Sequence, residues 1–126
     1  MAQFQFRLAT LLKLRRVVRD ERRRHLAEAL HADAILQERR AELEETLAQV
    51  RREYHLGQGP LDVDQILNTQ RYEMVIRSES QLLAQQSATL ESEIENRRQA
   101  AVAADRDLRV LEMLRDRQAE RYRQAE

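Results

Sequence analysis

The chain of 126 residues has no cysteine and no tryptophan, one proline, two glycines and only 4% aromatic residues. Without cysteine it can build neither a disulfide framework nor a thiolate metal site, which suits a reducing compartment. So few aromatics beside 35% charged residues argue against a globule with a thick core and for surface-rich helix. Long apolar runs are missing too. The start, MAQFQFRLATLLKLRR, is interrupted by Gln3, Gln5, Arg7 and Lys13, so it reads as neither a secretory leader nor an anchor. Nothing later approaches the roughly 20 apolar residues of a membrane span. The expectation is a single, soluble, cytoplasmic folding unit.

Gly57, Gly59 and Pro60 are the only glycines and the only proline, and they fall within four positions near the middle of the chain. On either side the sequence is rich in Ala, Leu, Glu, Gln and Arg, all strong helix formers. This predicts helix one over about residues 3–56, a turn over 57–61 and helix two over about 62–125. Gly57 would cap the first helix, Pro60 would prevent its continuation, and Asp62 with Gln65 resembles a capping box opening the second. Helices of roughly 80 and 95 Å joined by so short a loop must return antiparallel. The fold class is therefore all-α, two long helices forming an antiparallel coiled-coil hairpin.

Periodicity agrees, unevenly. Along helix two, steps of three and four link Ile76, Leu83, Leu90, Ile94, Ala101, Ala104, Leu108 and Leu111, with Ser80, Ser87 and Arg97 in the same register. Along helix one, Leu36, Leu43, Leu47, Val50 and Tyr54 make a seam, and upstream the register is read as drifting through Leu30, Ala29 and Leu26. Two helices have no third layer, so apolar residues outside the seam are candidates for contact with something else.

The formal net charge is zero, yet it is unevenly spread. Residues 1–24 hold eight basic against two acidic residues, a net +6, while residues 25–56 and 57–126 each contribute −3. Arg15, Arg19 and Arg22 recur at helical spacing, with Arg16 and Arg23 beside them. No aromatic is interleaved for base stacking and no DNA-reading motif surrounds the run, so nucleic acid is disfavoured. An acidic protein surface fits better, and a plain solvated face is the simpler alternative.

Catalytic chemistry finds little support. Glu28 and His31 have the Glu-x-x-His spacing of a di-iron helix, but the second copy such a site needs is missing, since helix two has no histidine. His25, His31 and His55 read as exposed helix or turn positions. Glu91 and Glu95 lie one turn apart, and nearby Arg97 and Arg98 make surface ion pairing the better reading. Both glycines sit in the turn, so there is no phosphate loop. No enzyme, cofactor or metal is expected.

Both ends carry a recognisable pattern. FQFRLATLLKLRRVVRDERRRHLAEAL opens with aromatic-x-aromatic-x-leucine and then Leu-Leu-x-Leu-Arg; DLRVLEMLRDRQAERYRQAE has Leu-x-x-Leu, Arg-x-Arg-Gln and a tyrosine. Together, across a chain with a central break, they resemble the terminal segments of the FliJ family of the flagellar type III export apparatus. That resemblance implies an antiparallel coiled coil similar to the gamma stalk of rotary ATPases. It would be inserted in the export ATPase hexamer, promote the ring's assembly and turnover, and link it to the cytoplasmic domain of the export gate and to export chaperones.

On that reading Arg15, Arg19, Arg22 and Arg23 would meet acidic loops of the ATPase ring. Tyr54 and Tyr72 match the family's gate-contacting aromatics, with Leu47, Val50, Ile76 and Leu83 on the same patch; those four also fit the interhelical seam, and Tyr72 lies off its register. Longer members continue past the coiled coil, whereas this sequence ends at Glu126, a departure from their pattern that puts a C-terminal chaperone-binding extension in doubt. The resemblance further implies a cytoplasmic protein peripherally associated with the inner membrane at the flagellar base, without insertion into it. The equivalent stalk of a virulence-type secretion system and a generic coiled-coil scaffold remain as alternatives.

Overall fold

The computed structural model describes residues 7–56 and 62–126. Two helices account for nearly all of them: α1, Ala9–Leu56, and α2, Val63–Ala125. The glycines and proline expected to shape the turn lie outside the described residues. Asp62 does open α2, because its side-chain Oδ1 accepts the Asp64 amide at 3.3 Å and its carbonyl accepts the Ile66 amide at 3.1 Å. The first bond satisfies a donor that a helix start otherwise leaves to water, and the second is the opening i→i−4 bond of the helix. Replacing Asp62 with alanine is expected to cost about 1 kcal/mol and to fray the first turn of α2, which amide hydrogen exchange at Asp64 and Ile66 would register. Unchanged protection there would contradict the cap.

The helices pack antiparallel, since partners on α2 rise in number as those on α1 fall. Arg51 faces Glu73, Arg39 faces Glu79, Gln37 meets Ser87, Arg23 meets Asp105 and Arg15 meets Asp107. The pair divides into two units, Met1–Ala29 with Glu93–Glu126, and Leu30–Ser92. In the first unit Leu12 and Leu108 form the core, with Leu111 packed against them. In the second, Leu43, Ile76 and Leu83 do so, with Leu36, Leu47 and Val50 alongside.

On α2 the buried positions Ile76, Leu83, Ser87, Ile94, Ala101, Ala104 and Leu108 follow the expected register. α1 differs from expectation upstream of Leu36. The register does not drift; the buried and half-buried positions keep to heptads, with Arg22 the exposed exception. Leu12, Arg19, Leu26, Asp33, Arg40 and Leu47 make one row and Arg15, Arg22, Ala29, Leu36, Leu43 and Val50 the other. Leu30 stands outside both rows and is 44% exposed, while its neighbour Ala29 is 3% exposed. Arginine and aspartate at seam positions disguise the repeat in the sequence.

Polar groups at the seam are satisfied in place. In the second unit the Gln37 amide donates to Ser87 Oγ at 3.1 Å, so the one buried polar residue among those described has a partner. In the first, Arg97 donates to the backbone carbonyl of His25 at 2.7 Å while Glu93 holds the same guanidinium at 2.7 Å. A polar contact that works in only one alignment penalises slippage of one helix along the other.

Candidate interaction surfaces

The basic segment of α1 divides into two sets. Arg15, Arg19 and Arg22 fall at heptad spacing; Arg15 and Arg19 are half-buried, so their stems lie along the helix pair and their guanidinium groups emerge at its edge, while Arg22 is exposed. Arg15 bridges to Asp107 at 3.4 Å and Arg23 to Asp105 at 2.9 Å, both across to α2. Arg19 pairs with its neighbour Asp20 at 3.0 Å. Such partly exposed bridges contribute roughly 0–1 kcal/mol each, but they also occupy the charges.

Arg22 is the member of the expected set that makes no ion pair among the described residues, and it lines a shallow groove with Arg15, Val18 and Asp107. Lys13, Arg16 and Arg24, also exposed, form no ion pair among the described residues either. The uncommitted positive charge of this segment therefore sits on Lys13, Arg16, Arg22 and Arg24. Sequence reasoning singled out the arginines by their helical spacing, and that spacing is the heptad itself. Asp105 and Asp107, which flank the seam residues Ala104 and Leu108, were the signal that part of the arginine set faces α2.

Among the described residues Arg39 is the one group whose protonation the surroundings visibly shift. The hydrogen bonds it donates to Glu79 first, then to Glu42, hold its guanidinium above the ordinary arginine range. A raised value adds stability at every pH below that range and loses it only as pH climbs through still higher values, so the Arg39 charge is constant under physiological conditions.

In the unit Leu30–Ser92, the two aromatics expected at a partner surface are brought together. Tyr54 and Tyr72, 37% and 49% exposed, line one open groove with Val50, Glu53, Ile66 and Thr69. The four aliphatic residues grouped with them do not share that exposure. Ile76 and Leu83 are core residues at 3% and 9% exposed, and Leu47 and Val50 pack against that core. Of these four, Val50 alone lines the groove.

Glu95 pairs with Arg98 at 3.1 Å, as surface pairing requires. His25 Nε2 lies 3.8 Å from a Glu21 carboxylate oxygen, an ordinary contact one helical turn apart. Among the described residues no three metal-ligating side chains converge, and no helix is long and apolar enough to cross a membrane. What sequence reasoning named only in general terms is a set of exposed apolar side chains on α2, including Leu67, Met74, Val75 and Leu82.

No curated protein and no solved structure gives a significant match. The family model described as flagellar FliJ protein matches residues 4–126. Spanning nearly its full length, that match places the chain in the FliJ family, a component of the flagellar export apparatus.

Proposed function

We propose that this chain acts as the stalk of the export ATPase ring, promoting ring assembly and ATP turnover and linking the ring to the export gate and export chaperones. The whole-length family match carries this reading. Uncommitted cations on the unit Met1–Ala29 with Glu93–Glu126 support the ring contact, and the tyrosine groove of the unit Leu30–Ser92 supports the gate contact. The flagellar family match also favours the flagellar system over a virulence-type one.

No catalytic group is needed for such a role. A helix pair seated in a ring touches the subunits unequally, and contacts that favour one closed interface shift the ring toward that state. Binding the hexamer better than the monomer stabilises the hexamer by mass action. Sedimentation of the export ATPase with ATP tests this: the chain should move the ATPase from monomer toward hexamer and travel with it. An unchanged ATPase profile with the chain left at the top of the gradient would oppose the reading.

The gate contact makes its own prediction. Tyr54→Ala with Tyr72→Ala should weaken capture of the gate's cytoplasmic domain on the order of tenfold or more, as aromatic anchors at interfaces do, with helicity by circular dichroism retained. Capture equal to wild type would remove the tyrosine groove from the account.

A further inference from the structure

The second exposed surface of the unit Leu30–Ser92 lies on α2, turned away from α1. Leu67, Arg71, Met74 and Ser78 recur in steps of four, three and four, with Val75 and Leu82 beside them. Met74 and the core residue Ile76 are two positions apart, about 200° around the helix, so this stripe is opposite the seam. Met74 is 67% exposed, Val75 62% and Leu82 53%; these are the exposures of a face nothing in the fold covers. Contiguous apolar surface on a helix mostly marks contact with another molecule.

Charge narrows the occupant. Of the stripe residues Leu67, Arg71, Met74, Val75, Ser78 and Leu82, Arg71 alone is charged, and charge depletion is the compositional mark of an interface centre. Glu73 is engaged with Arg51 and Arg77, and Glu79 with Arg39. Arg71 lines a shallow depression with Met74, Val75 and Ser78 and forms no ion pair among the described residues.

We infer that this stripe docks an amphipathic helix of another protein, with apolar side chains set at heptad spacing and a carboxylate positioned to meet Arg71. The apolar residues supply buried area and the ion pair supplies alignment. A second copy of this chain suits the stripe poorly, because a twofold pairing about its middle sets Arg71 against Ser78 and supplies it with no carboxylate. A lipid surface suits it poorly too, since membrane-lying helices flank their apolar face with several cations and this face has one.

The probe is a labelled synthetic helix of about three heptads, which spans roughly 30 Å, with leucine at the a and d positions, one central glutamate and otherwise alanine and glutamine. Its twin carries lysine in place of the glutamate. Fluorescence anisotropy with the full chain should show the glutamate peptide binding on the order of tenfold more tightly than the lysine twin. Arg71→Glu should reverse the preference, and Met74→Asp should remove binding of both; circular dichroism should match wild type for each variant, since both positions are exposed. Equal affinities for the two peptides, or binding indifferent to Met74→Asp, overturns the inference. So does failure of the glutamate peptide to bind above a scrambled control. Dimerisation of the chain in sedimentation that Met74→Asp abolishes assigns the stripe to a second copy instead. Binding to phosphatidylcholine–phosphatidylglycerol vesicles abolished by the same change assigns it to lipid, and either result overturns the helix partner.

Discussion

Leu108→Ala is expected to destabilise the unit Met1–Ala29 with Glu93–Glu126 by about 2–4 kcal/mol, the largest stability effect of any single truncation in the chain. Leu108 is 2% exposed and is the most buried of the described core residues. It packs on Leu12 and Leu111, so removing it opens a gap between the helices. There is no third layer to collapse into that gap. Against a typical net stability of roughly 5–15 kcal/mol for a folded domain, such a loss is large.

Urea unfolding followed by circular dichroism gives the size of the effect, and hydrogen exchange gives its location. Met113→Ala is the control, because Met113 is 54% exposed and surface truncation normally changes stability by about 0.5 kcal/mol or less. If the two variants were equally stable, the packing described for this unit would be wrong.

The largest functional effect is expected from Arg16→Glu, Arg22→Glu and Arg24→Glu combined. Three reversals change the charge of the basic segment by −6, from +6 to zero, without touching a bridge between α1 and α2. Affinity for the export ATPase should fall by at least about tenfold at low salt, and the remaining binding should lose most of its salt dependence. Helicity should stay as it is. Salt-titrated binding by anisotropy reads both quantities.

Arg15→Glu and Arg23→Glu are a different experiment. Each sets a carboxylate against Asp107 or Asp105 and so weakens the pairing of the helices as well as any outward contact. Exchanging the partners, Arg15→Asp with Asp107→Arg, should restore the small stability lost. If the outward triple reversal binds the ATPase as wild type does, recognition by uncommitted cations is excluded.

Much of this could be read from residues alone, and the reasons differ by segment. α2 repeats one apolar register from Ile76 to Leu111, and many turns of the same period leave little room for another face. In α1 the same heptad is written partly in Arg15, Arg19, Arg22, Asp33 and Arg40. Long stems can lie in a seam while their charges leave it, so hydropathy alone loses the register, and Leu30 is read beside Ala29 and Leu26 although it stands outside the seam.

The surfaces follow the same logic. Tyr72 lies off the register and is exposed, as its position implied, whereas the ambiguity of Ile76 and Leu83 between core and contact surface resolves in favour of the core. Which arginines remain free depends on the positions of Asp105 and Asp107 across the helix pair. That is a pairing between residues more than 80 positions apart in the case of Arg23, and no local pattern encodes it.

The central claim is tested most directly by ATP turnover of the flagellar export ATPase with and without this chain, at matched ATPase concentration. The account predicts stimulation by the intact chain and its loss with Arg16→Glu, Arg22→Glu and Arg24→Glu combined. Turnover unchanged by the intact chain, at concentrations well above that of the ATPase, would contradict it.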